Sequence, residues 1–186
     1  MKEKTYEAYF RQKMTRFSAG FDTFGVKCGW NQFAPVYATG MYSHYLRDAH
    51  FVYLTRADLL AQAISLYIAT EAQYFHTIDD LQKDKLAEVE FDFDKISVHL
   101  ERLIAMQGDW ERFFSMEGLQ VLRITYEEVA ADPAEVFARI CRPLGIESAR
   151  IAVATAYKVV RTELNEVLRA QYVAENRRRV AGYIIR

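Results

Sequence analysis

The stretch from Phe51 to Thr70 changes its hydrophobic period once, and this change constrains the fold more than any other feature of the chain. Its first residues, up to Leu54, form a short apolar run rich in β-branched and aromatic side chains, which is typical of a buried strand. From Asp58 onward the apolar residues recur at helical spacing, and an acidic residue in a first turn favours the positive end of the helix dipole. The stretch therefore predicts a strand that ends at Arg56 and a helix that follows it.

The predicted helix places Ser65 two turns from its start, on a narrow polar side. Its broad apolar side contains Leu59, Leu60, Ala63, Ile64, Leu66 and Tyr67. Ligands of open α/β sheets bind beyond the carboxyl ends of the strands, where Arg56 is expected. A guanidinium group with a nearby hydroxyl provides the donors that a phosphate group needs. The alternative is that Arg56 pairs with Asp58 on the surface and that Ser65 only permits close helix packing.

Length and composition set the class of the protein. The chain of 186 residues is predicted to be one domain, residues 1–186, which needs no disulfide or metal to fold. Its net charge of −1 gives no general attraction for nucleic acid or for an anionic membrane, so any anion binding must be local. No uncharged run approaches the ~20 residues of a membrane span. Cys28 and Cys141 form no CxxC pattern, which favours a reducing, cytoplasmic location.

Several familiar site motifs are missing from the sequence. There is no Walker loop, no GxGxxG and no GxSxG, which argues against ATPases, simple dinucleotide-binding proteins and α/β-hydrolases. The histidines show no metal-ligand spacing with the acidic residues or the cysteines, so we expect no metal site.

The residues before the central stretch predict helices and one further strand. Thr5–Phe17 and Phe33–Leu46 have helical patterns, the second as two short helices with a turn near Gly40. Phe24–Trp30 is typical of a buried strand, and Asn31 is a candidate N-cap for the helix after it. Together with the central strand and helix this gives a β-α-β-α run, which indicates a parallel sheet covered by helices.

The residues after the central stretch predict a loop, helices and another strand. Thr70–Glu90 is irregular and is predicted to be a loop that borders a pocket. Phe93–Glu117 is the longest helical pattern, with an apolar stripe of Ile96, Leu100, Leu103, Ile104, Trp110, Phe113 and Phe114. Leu119–Thr125 predicts a strand. Further helices are predicted to start at Asp132-Pro133 and to run over about Thr162–Ala174.

Three further side chains are candidates for a site, each with a structural alternative. Lys27, near the end of a predicted strand, can stabilise an anionic substrate or can simply extend to solvent. His76 can act as a general base or contact a substrate, although a solitary histidine after a helix is more often neither. Trp30 can stack on a sugar ring, although aromatic residues at such positions more often belong to the core.

Three segments, which follow one another in this order, carry a resemblance to a known family. The first is FGVKCGWNQF, a strand with a Gly-x-Lys, and the second is FVYLTRADLLAQAISLY. The third is the strand-helix segment WERFFSMEGLQVLRITYEEVAADPAEVFARICRPLGI. Jointly they resemble sulfotransferases that use 3′-phosphoadenosine 5′-phosphosulfate (PAPS), in particular the bacterial trehalose 2-sulfotransferase type.

The resemblance implies a fold, a reaction and roles for individual residues. The fold is α/β, with three layers in which helices flank a parallel sheet, of the P-loop nucleotide hydrolase-like class. The reaction transfers a sulfuryl group from PAPS to a hydroxyl of a carbohydrate or small-molecule acceptor. By match to the family's motifs, Arg56 and Ser65 hold the 3′-phosphate and Tyr126 lies near the adenine. Lys27 lines up with a lysine near the transferred group, while Trp30 and His76 are the candidates for acceptor binding.

The chain departs from the family at its start. The strand and loop that wrap the 5′-phosphosulfate in the family have no counterpart in the sequence, and no residue is assigned as catalytic base. The alternative expectation is therefore an amino-terminally truncated, non-catalytic domain that binds a nucleotide or a protein partner. A domain shortened in this way exposes a sheet edge that a second copy can cover, so we also expect a homodimer, which sedimentation would detect.

Overall fold

The computed structural model describes residues 5–18, 25–73, 86, 88–147 and 163–184. These residues form a mixed α/β structure, mostly helical, with a small parallel sheet of two strands. They divide into two compact units, Met1–Ala49 and His50–Arg186. The expectation of one domain over residues 1–186 stays a prediction.

The first unit contains helix α1 (Tyr6–Ser18), helix α2 (Trp30–Ala38) and a π-helical turn (Tyr42–Leu46). This agrees with the predicted helices, with the turn near Gly40, except that the last turn is π-helical. The hydroxyl of Tyr45 donates a hydrogen bond to the carboxylate of Glu7 at 2.8 Å, which fastens the π-helical turn to α1.

The predicted strand over Phe24–Trp30 is wrong. Residues 25–29 have no regular secondary structure, and α2 begins at Trp30 with Gly29, not the predicted Asn31, as its N-cap. The predicted β-α-β-α run therefore lacks its first strand in the part of the chain that the structure describes. An apolar run becomes a strand only where a neighbour pairs with it, and the glycines of this segment weaken any strand it could form.

The second unit is built around two strands that pair in parallel. Strand β1 spans Val52–Thr55 and strand β2 spans Leu122–Thr125, with Thr55 opposite Thr125 at their carboxyl ends. Both strands were predicted from the sequence, although β1 begins one residue later and β2 three residues later than the apolar runs. Helix α3 (Leu59–Glu71) follows β1 where a helix was predicted, with Asp58 as its N-cap and not as a residue of its first turn.

The remaining helices of this unit follow local signals closely. They are α4 (Phe93–Glu117), α5 (Tyr126–Ala131), α6 (Pro133–Cys141), a 3₁₀ turn (Arg142–Leu144) and α7 (Glu163–Ile184). The bounds of α4 are those predicted, and Gly118 ends it at φ 62°, a backbone conformation that glycine adopts without strain. Asp132 caps α6 by accepting a hydrogen bond from the Glu135 amide, again as predicted.

Helix α7 is longer than the predicted Thr162–Ala174. It continues to Ile184, through the basic run near the end of the chain. Glu175 accepts hydrogen bonds from both Arg178 and Arg179, three and four residues further on. Such pairs support an exposed helix, and the polar sequence alone did not reveal this extension.

The core of the second unit lies between α3, α4 and α7. These helices share a buried cluster of Ile64, Tyr67, Ile68, Ile96, Leu168 and Tyr172. Two members of the predicted apolar sides lie outside the core, since Leu66 is 36% exposed and Ile104 is 52% exposed. The predicted stripes were therefore wider than the surface that the helices bury.

We expect Ile96→Ala to lower the free energy of unfolding by about 2–5 kcal/mol, because it leaves a cavity at a site with no exposed surface. Ile104→Ala on the same helix is the matched control and should change stability by less than about 0.5 kcal/mol. Urea denaturation of both variants measures the difference. Equal losses would show that Ile96 does not form part of a packed core.

Candidate functional site

The register of the two strands places Arg56 beside Tyr126. Thr55 and Thr125 lie opposite each other at the carboxyl end of the sheet, so the next residue of each chain segment leaves the sheet at the same edge. The guanidinium carbon of Arg56 lies 4.7 Å from the centroid of the Tyr126 ring, within the range of a cation–π contact. The aromatic ring thus covers one face of the guanidinium group.

The Nε atom of Arg56 is a donor without an acceptor. It is buried and has no hydrogen-bond partner among the residues that the structure describes. The nearest carboxylate oxygen, Oε1 of Glu127, is 4.0 Å away, while Oε2 of Glu127 accepts from the Ala57 amide at 3.2 Å. A buried donor left unsatisfied costs about 1–3 kcal/mol, so an anion that reached Arg56 would relieve this penalty.

A capping network fixes the position of Tyr126 as the first residue of α5. The Glu128 amide donates to the Thr125 hydroxyl at 3.1 Å, and the Thr125 amide donates to the Glu128 carboxylate at 2.6 Å. Arg139 of α6 donates to the same carboxylate at 2.7 Å. The hydrogen bond from Arg139, followed by those from Thr125, lowers the pKa of Glu128. These hydrogen bonds hold the first turn of α5, and with it the backbone of Tyr126, in place.

Asp58 joins the start of α3 to the last helix of the chain. It accepts a hydrogen bond from the Ala61 amide at 2.9 Å, and Nη1 of Arg169 in α7 donates to its two oxygens at 3.0 and 2.8 Å. Burial by itself would raise the pKa of Asp58. The hydrogen bonds from Ala61 and Arg169, with the positive charges of Arg169 and Arg56, outweigh burial and lower the pKa. Asp58 therefore lies within the electrostatic reach of two guanidinium groups.

Ser65 lies in α3, and its hydroxyl already donates a hydrogen bond. The acceptor is the Ala61 carbonyl, one turn earlier, at 2.8 Å. The side-chain amide of Asn165 in α7 lies 3.5 Å from the Ser65 oxygen. To donate to a phosphate group, the Ser65 hydroxyl has to turn away from Ala61.

Two of the remaining predicted site residues belong to the first unit. Lys27 is exposed, in the irregular segment before α2 of the first unit. Trp30 begins α2, and its ring centroid lies 6.1 Å from that of Phe33. His76 lies outside the described residues. The second unit thus holds Arg56, Ser65 and Tyr126, and the roles of all six residues stay predictions.

A cavity of about 460 Å³ lies at the end of α3, and five of its lining residues belong to the stretch Thr70–Glu90 that was predicted to border a pocket. Its lining comprises Tyr67, Glu71, Gln73, Glu88, Val89, Glu90, Phe91, Asp92 and Lys95. Four carboxylates against one ammonium group disfavour an anionic ligand. We therefore do not assign a phosphorylated substrate to this cavity.

The sequence analysis missed Asn165 and Arg169. The two residues lie on one face of α7, and they reach Ser65 and Asp58 from 100 and 111 residues away in the chain. Their spacing of four on a predicted helix was visible in the sequence. No local pattern showed that this face would lie against α3.

Comparison with known families decides the assignment of the chain. A family model described as Stf0 sulphotransferase matches residues 2–175. The chain belongs to the Stf0 sulphotransferase family. This confirms the family predicted from the sequence, and membership indicates sulfotransferase activity. No curated protein showed a significant match.

The Stf0 sulphotransferase match spans both units of the structure, from α1 to the middle of α7. It therefore includes the segment that carries Lys27 and the helix that carries Arg169.

None of the helices in the described part of the chain combines the length and the apolar character needed to cross a bilayer.

We expect Asp58→Asn to destabilise the protein slightly at neutral pH and not at all at strongly acidic pH. Because the folded-state pKa of Asp58 is lowered, its charge stabilises the fold above the ordinary carboxyl pKa, and this contribution is lost as the pH falls through the lowered value. Asparagine keeps the helix cap, so the variant isolates the charge. The Asp58–Arg169 pair is 44% and 38% exposed, so the effect should stay below about 1 kcal/mol.

Urea unfolding of wild type and Asp58→Asn over a series of pH values, from pH 6 into the strongly acidic range, measures this difference. A gap in unfolding free energy that persists or widens in acid would contradict the assignment of the effect to the Asp58 charge.

Proposed function

We propose that the protein transfers a sulfuryl group from PAPS to a hydroxyl of a carbohydrate or small-molecule acceptor. The observation that carries this proposal is Arg56 at the carboxyl end of β1, with its Nε lacking an acceptor among the described residues and its guanidinium carbon 4.7 Å from the centroid of the Tyr126 ring. A planar fork of donors at this edge of a parallel sheet suits a phosphate group. Membership of the Stf0 sulphotransferase family supplies the reaction class.

The proposal assigns the 3′-phosphate of the donor to Arg56 and Ser65, and the adenine to the neighbourhood of Tyr126. The Arg56 and Tyr126 side chains are in contact, and Ser65 lies on the helix that starts three residues after Arg56. Binding of this remote phosphate does not change during sulfuryl transfer. It instead provides affinity and holds the donor in place.

We also propose that the two strands belong to the three-layer, P-loop nucleotide hydrolase-like fold. A parallel pair is rarely found outside sheets whose faces are covered by helices, and here α3 crosses directly from β1. Each strand continues into the start of a helix, α3 after β1 and α5 after β2. This arrangement is typical of α/β nucleotide-binding proteins.

The proposed reaction is an in-line transfer. The acceptor oxygen attacks sulfur while the bond between sulfur and the bridging oxygen of the donor breaks, and the acceptor proton passes to a base that is not assigned here. Negative charge then builds on the bridging oxygen. Lys27 is the proposed cation that stabilises this charge, and Trp30 and His76 are the proposed contacts of the acceptor.

We expect Arg56→Ala to weaken binding of adenosine 3′,5′-bisphosphate by about 10- to 100-fold, because a charge-assisted contact contributes about 1.5–3 kcal/mol. Adenosine 5′-monophosphate, which lacks the 3′-phosphate, should lose much less. Arg112→Ala is the matched control, since Arg112 is an exposed arginine on α4 whose partner is Asp109. Calorimetry measures all three proteins, and equal affinity of wild type and Arg56→Ala for the bisphosphate would end the donor assignment.

We expect Lys27→Ala to lower kcat for sulfuryl transfer by about 10²- to 10³-fold, with little effect on bisphosphate affinity, because Lys27 acts on charge that develops only in the transition state. Labelled PAPS with a panel of sugars provides the assay. Arg47→Ala, which removes another exposed cation of the same unit, is the control. A wild-type protein that binds the bisphosphate but transfers no label to any acceptor would favour the alternative, a non-catalytic nucleotide-binding domain.

A further inference from the structure

Arg169 brings a second guanidinium group to the start of α3. It reaches this place from α7, and its Nη1 lies 3.0 and 2.8 Å from the two oxygens of Asp58. Asp58 is two residues after Arg56, and both arginines act on its carboxylate electrostatically. Two guanidinium groups therefore act on the Asp58 carboxylate. One belongs to Arg56, two residues earlier in the chain, and the other belongs to Arg169, 111 residues later.

The face of α7 that carries Arg169 also carries Asn165. These residues are four apart, so they lie one above the other on the helix. Arg169 contacts Asp58 at the start of α3, and the Asn165 amide lies 3.5 Å from the Ser65 oxygen two turns further on. One face of α7 thus runs along the same side of α3 that carries Ser65.

The charges in this region are balanced without any ligand. The guanidinium groups of Arg56 and Arg169 face the carboxylates of Asp58 and Glu127. The Arg169–Asp58 pair is 38% and 44% exposed, and ion pairs of this kind are weak. A doubly charged phosphate is a stronger partner for a guanidinium group than one half-exposed carboxylate, so an exchange of partners is favourable.

We propose that Arg169 is a further residue of the 3′-phosphate site, and that Asp58 holds it in the absence of nucleotide and competes with the phosphate for it. The proposal rests on the proposed function, because it assumes that Arg56 binds the 3′-phosphate of the donor. It adds a specificity device: Arg169 leaves Asp58 only for a 3′-phosphomonoester, and a nucleotide without this group meets the Asp58 carboxylate instead.

The test measures the binding of adenosine 3′,5′-bisphosphate and adenosine 5′-monophosphate to wild type, Arg169→Gln and Asp58→Asn. Arg169→Gln should weaken bisphosphate binding by about 10-fold or more and monophosphate binding by less than about 2-fold. Asp58→Asn keeps the helix cap but removes the competing charge, so it should tighten bisphosphate binding by about 3- to 10-fold. Arg177→Gln, which changes an exposed arginine of the same helix, is the matched control and should leave both affinities unchanged.

The two variants separate a binding role from a structural one. If Arg169 only fastened α7 to α3, both variants would break the same pair, both would weaken binding, and neither would distinguish the two nucleotides. That result would overturn this proposal. The proposed function would still stand if the wild-type protein bound the bisphosphate more tightly than the monophosphate. A wild-type protein without that preference would overturn both.

The proposal can still be tested if one of the variants fails to fold. If Arg169→Gln fails to fold, Arg169→Lys keeps the positive charge but not the planar fork, and it should lose part of the bisphosphate affinity. The tightening by Asp58→Asn is also measured in the Arg169→Gln background, because removal of the Asp58 charge near Arg56 by itself favours an anion. The proposal requires a larger tightening when Arg169 is present, and equal tightening in both backgrounds would overturn it.

Discussion

The parallel pairing of β1 and β2 is the interaction on which the candidate site depends. Its register sets Thr55 opposite Thr125, which brings the residues that follow, Arg56 and Tyr126, to the same edge of the sheet, where they are in contact. A shift by one residue would turn the side chains of one strand to the other face of the sheet. The buried position of Tyr53, against the rings of Trp110 and Phe114, holds the register because only one face of β1 carries an aromatic ring.

Helices α3, α5 and α7 give charged or polar groups to the same region. Helix α3 contributes Ser65 and its cap Asp58, and α5 contributes Tyr126 at its first position. Helix α7 contributes Arg169, and its buried Leu168 and Tyr172 pack into the cluster shared with α3 and α4. Packing of the apolar residues of α7 thus sets where its arginine lies, so the core and the site are built by the same helix.

Signals that lie within a few residues were predictable from the sequence, and pairings across long separations were not. Asp58 and Asp132 mark helix starts through interactions with their own neighbours, and the sequence predicted a helix start at each. The run that ends at Trp30 failed as a strand because a strand depends on a partner that the run itself does not contain. Asp58 and Arg169 are 111 residues apart, and no local pattern predicts their contact. The alternative considered from the sequence was an ion pair between Arg56 and Asp58. Asp58 does form an ion pair, but its partner is Arg169.

A site for an anion has to be stable before the anion binds, although its cations then lack their ligand. Two guanidinium groups without anions would repel each other and lower stability, and the carboxylates of Asp58 and Glu127 remove that repulsion. A carboxylate that bound Arg56 as closely as Asp58 binds Arg169 would have to be displaced before a phosphate could bind. Glu127 instead stays 4.0 Å from Nε, and its other oxygen accepts from the Ala57 amide. Arg56 thus has a counter-charge nearby, while its Nε has no acceptor in the part of the chain that the structure describes. The region is thus stable enough to fold and still able to gain from binding an anion.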